Sequence, residues 1–536
     1  MRIASLILVL LLAACGSSSL PPPRDCDPRL PAIEITGEVM PADAKSYRML
    51  PFEVSGNTGR VELSYRWTEK AGPPVTPYTS TTLDLGLWDE RGYRTQAAFR
   101  GWGGSRQGRI DQDDPPIFVQ ADSADRGFTP GTVRPGLWHA DLGIAAVSEQ
   151  GADYLVRIEC RIASGPEPVA DPVDAAHVAR MAPGWYHGDF HMHAYHSNPN
   201  GPDYADFVTA ARAVKLDFLM VTEYVTGRHW SELGAVQRAN PDLLIWPGRE
   251  IITYSGHVNT HGETPDLYEY RHGFEDVDIG WIQQQAKDAG ALFQVNHPRI
   301  FPPPAFASFC RGCYFELDDA IDWAQVDLME VLTAQVVAKA EDAGAPPTPG
   351  TAESPFLQST IDYWESQLTA GHKITGVSGS DSKGVEDTEE DRIRKGYGSS
   401  ATAVYASNLS RAALTAALKA GHAYLRLLGV DRSPALEFVA VAPDASEGMF
   451  GDTLTVGPAD AVTLRVTVTG GAGQILRYLQ NGETFVEVPI TTDPFVNELS
   501  VTRAAVEGPL GTFWGIETLD SQTRTTIGNP IFLRGP

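Results

Sequence analysis

The chain has 536 residues, and at about 150 residues per domain this length predicts three or four domains. Apolar residues make up 42% of the chain and charged residues 21%, with a mean hydropathy of −0.19, which excludes wholesale disorder and a multispan membrane protein. Acidic side chains outnumber basic ones by 68 to 42, so the formal net charge is −26 and the pI is near 4.8. Such a surface does not follow a phosphate backbone, and we expect no nucleic-acid partner.

The first fifteen residues have the pattern of a targeting signal. Arg2 supplies a positive start, residues 3–12 form an apolar run too short to span a bilayer permanently, and Leu12-Ala13-Ala14-Cys15 closes it. This pattern resembles a bacterial lipoprotein signal, with residues 1–14 as the signal peptide and Cys15 as the lipidated N-terminus of the mature protein. An ordinary secretory signal with an incidental cysteine is the alternative. We predict a protein held in the cell envelope by acyl chains on Cys15, at the outer membrane if the organism has one.

Residues 15–46 are predicted to be a tether, because serines and prolines dominate its beginning. The envelope is oxidising, so the other cysteines can form disulfides. Cys310 and Cys313 are close enough in sequence to pair locally, which would leave Cys26 with Cys160. A redox site or a zinc knuckle is the alternative for the C-x-x-C, but the sequence shows neither a second ligand pair nor a strand before it. We therefore favour a disulfide that closes a loop.

Short alternating apolar runs, separated by turns, follow the tether. They lie at 60–67, 82–87 and 154–159 and predict an antiparallel β-sandwich over residues 47–163. Residues 164–183 contain Pro166, Pro168, Pro172 and Pro183 and are predicted to be a linker.

After Gly184, apolar runs of strand length alternate with helical spacing. We predict buried strands at 216–222, 243–246, 291–295, 326–332, 374–377 and 401–405, and helices at 204–214, 279–289, 356–370 and 409–420. Repeated β-α units indicate a parallel sheet, closed as a barrel or doubly wound, over residues 184–434. The charge-rich run 386–395 is predicted to be a solvated loop. From 435 to 536 alternation returns and predicts a second β-sandwich.

Several potential metal ligands follow the predicted strands. His191 and His193 are two residues apart in extended chain, so both imidazoles can face one ion. Glu250, His297 and Asp381 each follow a predicted strand, and active sites of barrel enzymes lie at the carboxyl ends of their strands. His257 lies seven residues after Glu250, on the same side. Imidazole and carboxylate ligands without thiolate suit Zn, Mn or Fe, and we predict a metal site.

At these residues the chain resembles the polymerase-and-histidinol-phosphatase (PHP) superfamily, and within it the branch that contains carbaryl hydrolase. The resemblance implies an α/β fold with a central distorted (β/α)7 barrel, flanked here by the two β-sandwich-like domains. It also implies hydrolysis of an ester-type bond (phosphoester, carboxyl ester or carbamate) in a small molecule, by a hydroxide that bridges two metal ions. The matching segments are 187–193, 216–223, 247–250, 256–259, 296–298 and 379–382.

The resemblance assigns ligands position by position. One metal would take His191, His193, Glu250 and Asp381, and a second would take Glu250 again, as a bridge, with His257 and His297. The third metal of the family uses histidines where this chain has Tyr224 and Lys383, and an Asp or His where it has Asn198, with His196 nearby as a substitute. We therefore predict two divalent ions.

We also predict that Lys383 and Tyr224 are catalytic residues. Lys383 would stabilise developing charge in place of the third ion. Alternatively, Lys383 pairs with a carboxylate in a pocket that has lost activity.

Two other functions compete with this hypothesis. Ser380-Asp381-Ser382-Lys383 satisfies the S-x-x-K pattern of penicillin-recognising enzymes, but it follows a predicted strand and precedes Gly384, whereas that motif needs a helical turn. The stronger alternative is a surface lipoprotein on a PHP scaffold, catalytically weak or inactive, that binds glycan or protein through tryptophans such as Trp102, Trp138 and Trp514. Sequence alone identifies neither the substrate nor the metal.

Overall fold

The structure is a computed structural model that describes residues 22–72, 79–104, 115–198, 201–262, 264–266, 269–303, 310–335, 337–338, 355–504 and 508–536. The predicted signal peptide, the predicted lipidation site Cys15 and the start of the predicted tether lie outside the described residues. None of the helices in the described ranges combines the length and apolar character needed to cross a membrane.

The N-terminal unit is a β-sandwich. Its strands are β1 (Arg24–Cys26), β2 (Ile33–Val39), β3 (Ser46–Val54), β4 (Arg60–Glu69), β5 (Thr82–Trp88), β6 (Phe99–Trp102), β7 (Ile117–Gln120), β8 (Gly136–Ala146) and β9 (Ala152–Arg161). One sheet has the order β1-β3-β8-β5-β6 and the other β2-β9-β4-β7. Buried side chains such as Phe52, Leu85 and Ile158 fill the space between them. The alternation of apolar residues along these strands places one face of each sheet in this core.

The sandwich begins before residue 47, so the prediction of a tether as far as residue 46 was wrong. Strands β1 and β2 lie within that segment, and Ile33 and Ile35 are buried between exposed residues. Cys26 forms a disulfide with Cys160 of β9, and Cys310 forms one with Cys313. The alternation in β2 is visible in the sequence, but the proline-rich segment before it suggested an unstructured chain.

The central unit contains the helices and a long mixed sheet. Its strands are β10 (Val178–Arg180), β11 (Gly184–Met192), β12 (Phe218–Tyr224), β13 (Leu244–Thr253), β14 (Gly256–His261), β15 (Leu292–Val295), β16 (Leu328–Thr333), β17 (Thr375–Gly379), β18 (Ala401–Ala406), β19 (Leu409–Ser410) and β20 (Ala423–Arg426). Its helices are α1 (Tyr204–Ala213), α2 (Leu233–Ala239), α3 (Ile279–Asp288), α4 (Leu357–Ala370), α5 (Glu389–Lys395) and α6 (Arg411–Ala420), and short 3-10 helices lie at Arg228–Ser231 and Trp323–Gln325.

The sheet of the central unit has the order β17-β16-β15-β14-β13-β12-β11-β18-β20. Neighbours β11 to β13 are parallel, as are β15 to β17, whereas β14 is antiparallel to both β13 and β15. A two-residue turn at Tyr254 and Ser255 joins β13 to β14, where a regular β-α unit would have a helix. The unit is therefore mixed α/β and richer in strands than repeated β-α units predict.

The chain that leaves β17, at one end of this strand path, lies beside β11. The amide of Asp381 donates to the carbonyl of His191 at 2.7 Å, and the amide of His193 donates to the carbonyl of Ser382 at 3.0 Å. Met192 and Ser382 form a parallel bridge. The chain that leaves β17 thus lies alongside the end of β11, and side chains from both elements face a common space.

Helix ends follow capping chemistry. Asp203 caps α1 by accepting from the amides of Ala205 and Asp206, and α4 ends at Gly371, whose φ of 103° favours glycine.

The run 386–395, predicted to be a solvated loop, contains helix α5 instead. Thr388 caps it, and acidic residues lie in its first turn and basic residues in its last, which complements the helix dipole.

The C-terminal unit shares a sheet with the central unit. Its strands are β21 (Ala435–Val441), β22 (Glu447–Met449), β23 (Thr453–Thr455), β24 (Val462–Thr469), β25 (Ile475–Gln480), β26 (Glu483–Pro489), β27 (Phe495–Val501), β28 (Thr512–Asp520), β29 (Thr523–Gly528) and β30 (Ile531–Arg534). Strand β20 pairs with β29, and the sheet continues through β28 and β25 to β26. A second sheet, β22-β21-β24-β27, packs on it through residues such as Leu464 and Tyr478.

The tryptophans considered for glycan or protein binding are buried. Trp138 is fully buried, Trp514 is 1% exposed and Trp102 is 4% exposed. Trp138 also donates its indole N–H to the carbonyl of Arg134 at 2.9 Å. Trp138 and Trp514 pack in the cores of their units, and Trp102 packs in a cluster with residues of the central unit, so none of these buried rings forms a binding surface.

Candidate metal centre

Four buried side chains converge where β11, β13 and the chain after β17 meet. Glu250 Oε2 lies 3.2 Å from Nε2 of His191 and 3.2 Å from Nε2 of His193. Asp381 Oδ1 lies 2.9 Å from His193 Nε2 and 3.4 Å from His191 Nε2. One donor atom from each of the four residues lies within 4.8 Å of the other three. Two imidazoles and two carboxylates at this spacing form a donor set for a transition-metal dication.

Two atoms of this group have no hydrogen-bond partner among the described residues. They are His191 Nε2 and Glu250 Oε2, and both are buried. Because both atoms point into the space between the four side chains, a bound cation would satisfy them together, and the residues present fit a divalent metal ion.

The other carboxylate oxygen of Glu250 faces a second pair of histidines. Glu250 Oε1 lies 3.2 Å from Nδ1 of His257 and 3.8 Å from Nε2 of His297. The β13–β14 hairpin produces this contact, since His257 pairs with Ile252, two residues after Glu250. The structure therefore places Glu250 between the two predicted ligand groups, with one oxygen toward each.

The outer ring nitrogens of both histidines of this pair face carbonyls of one loop. His257 Nε2 lies 3.1 Å from the carbonyl of Arg311, and His297 Nδ1 lies 3.3 Å from the carbonyl of Cys313. A carbonyl oxygen only accepts, so each of these outer nitrogens carries the N–H that donates to it. The other nitrogen of each ring, which faces Glu250, therefore carries the free lone pair. This is the tautomer that a metal ligand requires.

Sequence reasoning missed Glu330, a fully buried residue of β16. Its carboxylate lies 3.2 Å from Nδ1 of His191, on the side of the ring away from Glu250. A carboxylate behind a metal-ligating imidazole orients the ring and raises its basicity. The signal was present in the sequence, because Glu330 is the charged residue among the apolar residues at 328–332.

Serine and glutamate side chains hold His193 in the same way. Ser197 Oγ lies 3.1 Å from His193 Nδ1 and contacts the carboxylate of Glu223. Glu223 is fully buried and also accepts from the amides of Ser197 and Ala194 at 2.9 and 3.2 Å. Glu223 lay in the segment that matched the PHP pattern, but its role in supporting a ligand was not predicted.

The cluster is strongly polarised. Burial lowers the pKa of His191, but Asp381, Glu250 and Glu330 outweigh it and hold that pKa well above its ordinary value. Burial raises the pKa values of Glu250 and Asp381, and the facing charges outweigh it, so both lie well below the usual carboxyl range. Both carboxylates are therefore ionised and attract positive charge into the cluster.

The predicted catalytic residues border the His193 side of the cluster. The ammonium of Lys383 donates to Asp381 Oδ1 and, at 3.1 Å, to the Asp381 carbonyl. It lies 5.6 Å from the centre of the Tyr224 ring, which in turn is 4.3 Å from the centre of the His193 ring. Burial lowers the pKa of Lys383, but Asp381 outweighs this and raises it, and burial raises the pKa of Tyr224. At neutral pH Lys383 is charged and Tyr224 carries its proton.

His196, named as a substitute ligand for a third ion, has another partner. Its Nε2 lies 2.8 Å from Glu232 Oε2, and its ring centre lies 4.0 Å from that of Tyr195, with the two rings tilted by 36°. Asn198 lies at the end of the turn that follows β11, where its backbone N–H donates to the carbonyl of Ala194 at 3.4 Å.

Two of the candidate ligands have a left-handed backbone. His297 has a φ of 31° and Asp381 a φ of 51°. Such conformations cost of order 1–3 kcal/mol for residues other than glycine, and they persist where the surrounding structure enforces them. Backbone strain at two donors is consistent with a site whose geometry is fixed in advance.

No family model matches the sequence, and no curated protein matches it. Among solved structures, a two-domain protein from Bacteroides vulgatus that contains a predicted PHP-like metal-dependent phosphoesterase matches with a TM-score of 0.37 and 17% identity, over 68% of this chain and 100% of the other. A proposed metal-dependent phosphoesterase from Bifidobacterium adolescentis matches with a TM-score of 0.27 and 12% identity, over 38% of this chain and 90% of the other.

Proposed function

We propose that the protein is a metal-dependent hydrolase of the PHP type that cleaves an ester-type bond in a small molecule. The observation that supports this most is the position of Glu250, which presents one oxygen to His191 and His193 and the other to His257 and His297. A carboxylate that faces two histidine pairs in this way suits a pair of divalent ions and offsets the repulsion between them.

Each ion would have its own ligands. His191, His193 and Asp381 would hold one, His257 and His297 the other, and Glu250 would bridge both. When bound, two dications supply Lewis acidity and lower the pKa of a water so that hydroxide forms near neutral pH. Zn, Mn and Fe suit these nitrogen and oxygen donors.

The chain's own residues orient and stabilise the reacting groups. Glu330 and Ser197 fix the rings of His191 and His193 from behind. The Lys383 ammonium, held at Asp381, places a positive charge beside the cluster where an oxyanion would develop. Tyr224 carries a proton that it can donate to the same region.

We also propose the finer family features. The contacts between Asp381 and His191 and between Ser382 and His193 support a distorted (β/α)7 barrel. The segments quoted above support the carbaryl-hydrolase branch, and the sequence Leu12-Ala13-Ala14-Cys15 supports a lipoprotein anchored in the envelope. Cys15→Ser should abolish acyl labelling in cells, and labelling that persists would contradict the anchor.

A substrate panel tests the hydrolase. The full chain, loaded with Zn or Mn, is assayed against aryl phosphoesters, carboxyl esters and carbamates, beside Asp381→Asn and the control Asp431→Asn, an exposed carboxylate paired with Lys215. We expect turnover that a chelator removes, that Asp381→Asn abolishes and that Asp431→Asn leaves unchanged. No turnover across the panel with both metals bound would favour a scaffold that binds glycan or protein without catalysis.

A further inference from the structure

The loop closed by the Cys310–Cys313 disulfide packs directly on the His257–His297 pair. Its carbonyls at Arg311 and Cys313 accept from the outer nitrogens of the two rings, as described above. Gly312 has a φ of 90°, and a Cβ built there would lie 2.2 Å from the carbonyl of Thr253 and 3.1 Å from His257 Nε2. Only glycine fits this approach, so the loop is held against His257 by backbone contact.

One sulfur of this disulfide lies among the histidine donors. Cys313 Sγ and one ring nitrogen from each of His257 and His297 all lie within 4.8 Å of one another, and all three residues are buried. While Cys313 is bonded to Cys310, its sulfur is not a thiolate and is not a metal ligand. A thiolate is a strong ligand for zinc and related ions, and it would join the two imidazoles.

We infer that Cys313 is a redox-dependent metal ligand: reduction of Cys310–Cys313 gives the His257–His297 half of the centre a thiolate. This inference depends on the proposed function only for the presence of a metal ion beside His257 and His297. The reduced site would have the donors His257, His297 and Cys313. Because a thiolate is a strong zinc ligand, reduction should tighten binding of this ion.

The exposure of the two cysteines favours attack of a reductant on Cys310, which releases Cys313 as the thiolate. Cys310 is partly exposed and lines a surface cavity with Lys45 and Glu316, whereas Cys313 is 2% exposed. A thiolate of a dithiol reductant therefore attacks Cys310 Sγ, the S–S bond breaks, and Cys313 leaves as the thiolate.

The step balances with a dithiol as co-reactant. The second thiol of the reductant displaces Cys310 from the mixed disulfide, so the reductant becomes a disulfide and the protein gains two electrons. One proton of the reductant remains on Cys310 and the other enters solvent, because Cys313 binds the metal as thiolate. The other disulfide, Cys26–Cys160, lies in the N-terminal sandwich. Its two cysteines are 134 residues apart in sequence and are only 3% and 5% exposed, so a reductant reaches them less readily than Cys310.

Two single substitutions separate the ligand role from loss of the disulfide. Cys310→Ser and Cys313→Ser both break the bond and keep the loop carbonyls, but only Cys310→Ser leaves a thiolate among the histidines. The full chain and both variants are loaded with cobalt(II), and the near-ultraviolet thiolate-to-cobalt charge-transfer absorption is recorded with and without a dithiol. Retention of zinc against a competing chelator is measured on the same proteins.

We expect the absorption in Cys310→Ser without reductant and in the parent protein after reduction, and its absence in Cys313→Ser under both conditions. Zinc at this half should dissociate about tenfold less readily from Cys310→Ser than from Cys313→Ser. If cobalt binds to all three proteins but Cys310→Ser shows no such absorption, the inference is wrong while the metal centre stands. If cobalt binds to none of them, the inference and the proposed function both fail.

Discussion

The His191 ring and the Glu330 carboxylate face each other in the interior of the central unit. His191 Nδ1 lies 3.2 Å from Glu330 Oε2, and both side chains are fully buried. Because a carboxyl oxygen accepts in this contact, His191 Nδ1 is the donor, and its Nε2 faces Glu250 and Asp381. Glu330 thereby determines which nitrogen of His191 is offered to a metal ion.

Glu330→Gln should weaken metal binding without removing a ligand. Loss of a carboxylate behind a metal-ligating imidazole costs about 10- to 100-fold in metal affinity, so we expect a decrease of that size. Titration of the metal-free variant with Zn in the presence of a chelating indicator measures it. Glu498→Gln, an exposed site paired with Arg465, is the control. Equal affinities for the two variants would exclude an orienting role for Glu330.

Glu250→Gln should release both ions, whereas His257→Ala should release one. Glu250 contacts both donor groups, and its negative charge offsets the repulsion between two dications, while His257 lies beside only one group. Elemental analysis after gel filtration gives the metal content per chain. Two ions retained by Glu250→Gln would contradict the bridge.

Lys383→Met should slow hydrolysis and leave metal content unchanged. The ammonium is a charged donor at Asp381, and one preorganised donor aimed at developing charge contributes about a hundredfold in rate. Removing this positive charge should not weaken binding of a dication to Asp381 and the histidines. Turnover at the parent rate with two bound ions would show that Lys383 is not catalytic.

Glu365→Gln should stabilise the protein at high pH only. Burial, and then the charge of Glu517, raise the pKa of Glu365 from 4.5 to about 7 in the folded chain. A carboxyl whose pKa is raised by folding makes its full contribution to the free energy of unfolding at pH values below its pKa in the unfolded chain. This contribution is lost as the pH rises through the folded pKa of about 7. The gain from Gln should thus be of order 2 kcal/mol at about pH 8 and much smaller at about pH 5. Urea unfolding at both pH values measures it, and a gain that does not change with pH would refute the assignment.

Sequence patterns identified the candidate donors because each one follows a predicted strand or lies in a short motif. His191, Glu250 and Asp381 follow or end predicted apolar runs, and the structure brings them together at the end of β11, within β13 and just after β17. Glu330 was missed because its pattern is that of a buried strand, and only tertiary packing shows that its carboxylate meets His191.

Two local predictions failed for related reasons. Composition suggested a tether at residues 15–46, yet Ile33 and Ile35 pair with β9 and pack in the first sandwich. Charge suggested a loop at 386–395, yet the Thr388 cap and the order of acidic before basic residues stabilise helix α5. In both segments, local capping or alternation outweighed average composition.

The most direct test of the dinuclear hydrolase is activity against bound metal. Metal-free protein is titrated with Zn or Mn, and hydrolysis of the best substrate of the panel is recorded at each number of ions per chain. We predict that activity rises as the second ion binds and then stays constant, because the proposed ligands serve two ions and the resemblance to the PHP superfamily puts Lys383 at the position of the third. Activity that appears only with a third ion, or none with two ions bound, would contradict it.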